Sequence, residues 1–67
     1  MKQFRERLKD LRTGKGISQM QLAKDLNISQ SAIAKWELGK TEPTASAVIA
    51  IAKYFNETTD YILGVTD

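Results

Sequence analysis

The sequence predicts an all-α fold of five short helices. Three observations point to it. Apolar residues recur three and four positions apart, the spacing that builds one face of a helix. Ser or Thr stands before four of the helical stretches, and Gly or Asn follows each stretch, as helix start and stop signals require. No internal repeat, low-complexity tract or linker interrupts the pattern.

In residues 2–13, Phe4, Leu8 and Leu11 form one stripe and charges occupy the other faces. Gly14 and Gly16 are expected to stop this helix, with Ile17 packing back as the chain turns. Ser18 opens the second helix, which runs to Leu26. Gln21, three residues on, predicts a reciprocal Ser-x-x-Gln capping box. Leu22 and Leu26 share a face. Asn27 follows, a residue that tolerates the left-handed backbone of a tight turn. Ile28 is apolar within that turn and is expected to plug the space between helices. Ser29 caps a third helix over residues 30–38, ended by Gly39. Residues 40–43 form a loop. Thr44 caps the fourth helix, which carries Ala45, Val48, Ile49, Ile51, Ala52 and Phe55. It is the most apolar stretch and is expected to run through the core. Asn56 and Glu57 turn the chain. Thr58 caps a short fifth helix with Tyr61, Ile62 and Leu63, ending at Gly64.

The 67 residues are read as one domain, residues 1–67. A domain of this size buries only about 60% of the surface its unfolded chain exposes, so there is little room to enclose a large substrate. Cys and His are both absent. Disulfides, thiol chemistry and the usual transition-metal ligands are therefore excluded, and no cofactor or metal is expected. A reducing cytoplasm suits a small domain without disulfide staples. No apolar run approaches the ~20 residues of a membrane span, and the charged N-terminus lacks a signal-peptide core. An enzyme is not expected, because no nucleophile–base pair and no glycine-rich phosphate loop can be found.

Charge is distributed unevenly. Residues 1–15 hold six basic side chains (Lys2, Arg5, Arg7, Lys9, Arg12 and Lys15) against Glu6 and Asp10. Residues 43–67 hold Lys53 against Glu57, Asp60 and Asp67. A basic start and an acidic end suit a protein that turns one face to a polyanion. The same charges also suit an ordinary solvated basic helix.

Residues 19–38 read as one unit, two helices crossing steeply over a short turn. That geometry needs apolar residues at the inner positions, and Leu22, Leu26, Ile28, Ile33 and Trp36 stand there. It needs a small residue at the closest crossing, where Ala23 stands, and a left-handed residue in the turn, where Asn27 stands. At 100° per residue, Gln30, Ser31, Ala34, Lys35 and Leu38 of the third helix fall in one arc, opposite Ala32, Ile33 and Trp36. The arc is mostly polar, short and carries one charge. Such a face fits closely between DNA strands, where Gln can pair with adenine N6 and N7 and Lys with guanine O6 and N7.

The stretch Ser18-Gln19-Met20-Gln21-Leu22-Ala23, then Asn27-Ile28-Ser29-Gln30-Ser31, then Trp36-Glu37-Leu38-Gly39-Lys40 through Pro43, resembles the Cro and phage-repressor family of XRE-like helix-turn-helix domains. Leu11-Arg12 and the ending Asp60-Tyr61-Ile62-Leu63-Gly64 extend the likeness over nearly the whole chain. The resemblance implies a compact five-helix lambda-repressor-like domain with its third helix in the major groove. It implies base-reading roles for Gln30, Ser31, Ala34 and Lys35. Phosphate contacts are implied for Gln19, which also braces the first residue of the third helix, and for Ser29. Gly39, Lys40 and Thr41 match a loop whose amides and side chains meet the DNA backbone. Arg12 and Glu37 match a largely buried ion pair, and Trp36 a core residue.

The implied function is a sequence-specific regulator of transcription, a repressor of phage or prophage type. It would bind an inverted-repeat operator as a homodimer, touching its partner through Phe55 and residues 61–65. The main alternative is an antitoxin or adaptor, which adds a protein partner; an adaptor needs an exposed apolar patch on the third helix. Two residues depart from the family pattern. Asn27 stands where glycine is common, and Leu38 stands where a polar residue is common and can touch a thymine methyl instead.

Overall fold

Four of the five helices begin where a hydroxyl side chain takes an amide that the first turn leaves unpaired. Ser18 Oγ accepts from the Gln21 N–H at 3.0 Å, Ser29 Oγ from Ala32 at 3.1 Å, Thr44 Oγ1 from Ala47 at 3.1 Å and Thr58 Oγ1 from Tyr61 at 3.0 Å. In the computed structural model, which describes residues 1–65, the helices are α1 (Lys2–Gly14), α2 (Gln19–Leu26), α3 (Gln30–Leu38), α4 (Ala45–Phe55) and α5 (Thr59–Leu63). The described residues form an all-α fold. No side chain caps α1.

The helix ends follow the turn chemistry of the sequence, with two adjustments. Asn27 (φ 57°) and Asn56 (φ 55°) both adopt the left-handed backbone after α2 and α4. Gly14 does not stop α1; it stays helical, and the left-handed turn falls on Gly16. The Ser18 box is only half built. Ser18 takes the Gln21 amide, but the Gln21 side chain turns along its own helix and donates to Asp25 Oδ1 at 2.7 Å. A charged carboxylate is the stronger acceptor and holds that amide.

The core draws on every helix. Phe4, Leu8, Leu22, Ile33, Ile51 and Ile62 are fully enclosed, and Ala23, Trp36, Val48 and Ala52 complete the buried set. Leu11, Ile17, Leu26 and Ile28 pack against its edge, so the apolar turn residue Ile28 closes the gap between α2 and α3. Trp36 meets Phe4 edge to face, with ring centroids 6.3 Å apart, an arrangement aromatic pairs prefer. α1 packs on α3 and α5, α2 on α3 and α4, and α4 on α5. The expectation for α4 needs correction. Val48, Ile51 and Ala52 are buried, but Ile49 is 47% exposed, so α4 lines the core on one side only. In a domain this small, no helix has neighbours all round.

Several charged residues of α1 and its turn serve the fold. Arg7 donates to the Tyr61 carbonyl and covers the Tyr61 ring, 4.4 Å from its centroid. Lys15 lies over Tyr54 at 4.1 Å. Tyr54 donates its hydroxyl to Asp25 Oδ2 at 2.6 Å, joining α4 to α2. That bond, with the Gln21 amide next, holds the Asp25 carboxyl below its ordinary pKa, and the same bond pushes the Tyr54 phenol up. The basic excess at the N-terminus is therefore not wholly turned outward. Among the described residues, no helix is long and apolar enough to cross a membrane.

Candidate nucleic-acid interface

α3 has nine residues, about 13.5 Å long at 1.5 Å per residue; an α-helix about 10–12 Å across can enter a major groove about 12 Å wide. Its inner face is anchored by Ile33, fully buried, and Trp36, 8% exposed. Its outer face presents Gln30, Ser31 and Lys35 to solvent. Ala34 lies in the same arc but is half-buried, so only part of its methyl reaches the surface. Leu38 is 63% exposed at the end of the arc.

The last turn of α3 is tied to α1 and α2 by one charged cluster. Arg12 grips Glu37 with two bonds, Nε to Oε2 at 2.7 Å and Nη2 to Oε1 at 3.0 Å. Its Nη1 donates to the Ile17 carbonyl at 2.9 Å. The side chains are only 12% and 4% exposed. Burial pushes the Glu37 carboxyl up. The Arg12 and Gln19 hydrogen bonds push it down further, so its pKa lies below the ordinary carboxylate value. The Glu37 bond raises Arg12 despite burial. Both groups are thus charged at neutral pH. The planar guanidinium meets the carboxylate in the bidentate geometry it favours.

Gln19, the first residue of α2, is placed differently from expectation. Its Nε2 donates to Glu37 Oε1 at 3.1 Å. It braces the end of α3 and not its first residue, Gln30, because the buried carboxylate is the charged acceptor within reach. The loop after α3 differs too. The Gly39 N–H donates to the Trp36 carbonyl at 3.1 Å and the Lys40 N–H to the Lys35 carbonyl at 2.9 Å. Gly39 takes a left-handed φ of 75° to make this end-of-helix motif. Those two amides satisfy the helix and are not free for a phosphate, while the side chains of Lys40 and Thr41 stand exposed. Ser29 is exposed; its oxygen serves as the cap of α3, which leaves the hydroxyl proton to donate outward.

One neighbour of this loop escaped sequence reasoning. The Arg5 side chain crosses from α1 and lies against Gly39. The signal was present: Arg5 and Arg12 stand seven apart, two helical turns, and so share the face of α1 that meets α3. Among the described residues, no group of His, Cys, Asp and Glu could hold a metal ion.

A helix-turn-helix family model matches residues 8–62, most of the chain. The HTH-type transcriptional activator BcrR of Enterococcus faecalis is 46% identical over 61 residues, covering 91% of this chain and 30% of that protein. The SPbeta prophage-derived uncharacterized HTH-type transcriptional regulator YonR of Bacillus subtilis (strain 168) is 38% identical over 60 residues, covering 90% and 56%. The HTH-type transcriptional regulator ImmR of the same strain is 30% identical over 59 residues, covering 88% and 46%. The chain thus spans between about a third and just over half of these relatives. No solved structure gives a significant match. The chain belongs to the helix-turn-helix family.

Proposed function

We propose that this helix-turn-helix chain is a repressor that binds an inverted-repeat operator as a homodimer, reading bases with α3. The observation that carries the reading is the outer face of α3. Gln30, Ser31 and Lys35 stand exposed side by side, while Ile33, Trp36 and the Arg12–Glu37 pair hold the helix behind them. Rigid backing of that kind suits direct readout, since base contacts specify only when their donors are held in register. Phosphate contacts are assigned to Gln19, Ser29, Lys40 and Thr41, with Gly39 shaping the loop that presents the last two. Cytoplasmic placement follows from a DNA target.

The test compares affinities of wild type, Gln30→Ala, Lys35→Ala and Lys40→Ala for a selected operator and for random duplex at several salt concentrations. Gln30→Ala and Lys35→Ala are expected to cost about 1–3 kcal/mol on the operator and to relax preference at one base pair each. Lys40→Ala is expected to weaken both duplexes alike and to lower the salt slope by about one. Equal losses on both duplexes for the two α3 variants would remove α3 as the reader. An adaptor role would then gain, although α3 presents one exposed large apolar side chain, Leu38, and not a patch.

Size supports the homodimer. The Cα envelope measures 28 × 24 × 20 Å, so two copies side by side can set their α3 helices about 34–36 Å apart, one turn of duplex. The expected surface shifts within α4 and α5. Ile62 is fully buried and Tyr61 is covered by Arg7, so they offer little to a partner. Val65 is 70% exposed, and Leu63, Ile49 and Met1 edge an open apolar groove of about 360 Å³. Sedimentation and footprinting are expected to give two chains on a two-fold symmetric site. A single chain saturating one asymmetric half-site at micromolar concentration counts against the dimer.

Repression is the proposed sign because a protein seated in the groove excludes others from that duplex by sterics. BcrR is named an activator, which favours activation as the second reading. A reporter under the selected operator separates them by falling or rising when the chain is expressed.

A further inference from the structure

The Arg5 guanidinium occupies the space beside Gly39 where any other residue would carry its Cβ. Its Cδ and Cζ lie 3.2 and 3.3 Å from that point. The left-handed φ favours glycine at position 39, and the absence of a Cβ leaves the Arg5 side chain its place there without displacement. Arg5 is half-buried. Among the described residues, no hydrogen bond or ion pair engages its guanidinium. By contrast, Arg12 on the same face of α1 has its guanidinium bonded to Glu37 and to the Ile17 carbonyl.

A guanidinium carries five N–H donors in a planar fork suited to phosphate. Here it is parked at the end of the proposed reading helix, against the loop that carries Lys40 and Thr41. The nearby amides cannot replace it, because Gly39 and Lys40 have given theirs to Trp36 and Lys35. We propose that Arg5 grips a backbone phosphate of the duplex beside the C-terminal end of α3. α1 would then add to the interface a contact from outside residues 19–38. The proposal rests on α3 being the DNA reader.

The experiment uses wild type, Arg5→Gln, Arg5→Lys and Lys40→Gln, each on the selected operator and on random duplex, with a melting curve for each protein. Arg5→Gln is expected to weaken binding to both duplexes by a similar factor, about tenfold at low salt, as loss of a charged hydrogen bond implies. The gap from wild type is expected to narrow by about threefold between ~50 and ~200 mM salt, since one fewer counterion is released. Arg5→Lys keeps the charge and is expected to keep the salt slope, with a smaller loss of affinity. The melting temperature of Arg5→Gln is expected to move by less than about 4 °C. Three results overturn the proposal while leaving α3 as the reader. They are an unchanged salt slope, a loss confined to the operator, and a lowered melting temperature with unchanged affinity of the folded protein. The last would make Arg5 a cation that only steadies the negative end of α3. Wild type without preference between the duplexes would remove the α3 reading itself, and Arg5's role with it.

Discussion

Arg12→Ala is expected to cost about 3–5 kcal/mol of stability, because it strands a buried carboxylate. A 67-residue domain is stable by only about 3–10 kcal/mol, so the variant sits at the edge of unfolding. Glu37 would keep the Gln19 hydrogen bond but lose both bonds to Arg12 and the charge behind them. The pH dependence separates this account from simple loss of packing. In wild type the Glu37 carboxyl is held below its ordinary value. Its contribution is therefore complete above the unfolded carboxylate pKa of about 4.3 and fades as pH falls through the depressed folded value. In Arg12→Ala burial dominates and the folded pKa rises. The sign then reverses: the variant regains stability as pH falls through that raised value towards about 4.3. Melting curves at a series of pH values check both directions. Adding Glu37→Gln to Arg12→Ala is expected to recover part of the loss at neutral pH, since no stranded charge remains. DNA binding should fall only as far as the folded fraction falls. An Arg12→Ala protein that melts like wild type yet no longer binds DNA would make Arg12 a phosphate contact.

Phe4→Ala is expected to cost a similar amount, about 3–5 kcal/mol, for a different reason. Phe4 is 1% exposed and meets the edge of Trp36, so truncation empties space between α1 and α3. The small core has few side chains free to collapse into the void. Urea unfolding followed by far-ultraviolet circular dichroism measures the loss, a probe that also serves variants lacking Trp36, the single tryptophan. Phe4→Leu fills much of the volume and is expected to keep a cooperative transition at a lower midpoint. The two losses should not add when combined with Trp36→Ala, because the rings touch. A Phe4→Ala unfolding free energy within about 0.5 kcal/mol of wild type, the range of an ordinary surface change, would show that α1 does not close the core in solution.

The helix boundaries were legible because their signals are local. Ser18, Ser29, Thr44 and Thr58 each bind an amide three residues away, and Asn27, Gly39, Asn56 and Gly64 supply left-handed backbones their neighbours cannot. The same locality limited the reading at Gly14 and Gly16, where two glycines two apart left the end of α1 open and packing chose the second. The outer face of α3 was likewise legible from its 100° periodicity. The family likeness, which takes in Leu11-Arg12 as well as residues 18–43, supplied the Arg12–Glu37 pairing, which periodicity could not.

What the sequence determined by itself, then, is most of what depends on partners within about one helical turn: the five helices, the hydroxyl caps of four of them, and which face of α3 is polar, while the local choices at Gly14 and Gln21 came out otherwise. The tertiary structure decided the choice among competing long-range partners. Gln19 could have braced Gln30, but the buried Glu37 carboxylate took it. Of the basic residues near the N-terminus, Arg7 went to Tyr61, Arg12 to Glu37, Lys15 to Tyr54 and Arg5 to Gly39. The physical reason is that a local hydrogen bond is set by backbone geometry within a few residues. A charged side chain on a long stem can reach many acceptors, and only the packing of helices decides which charge is buried beside it.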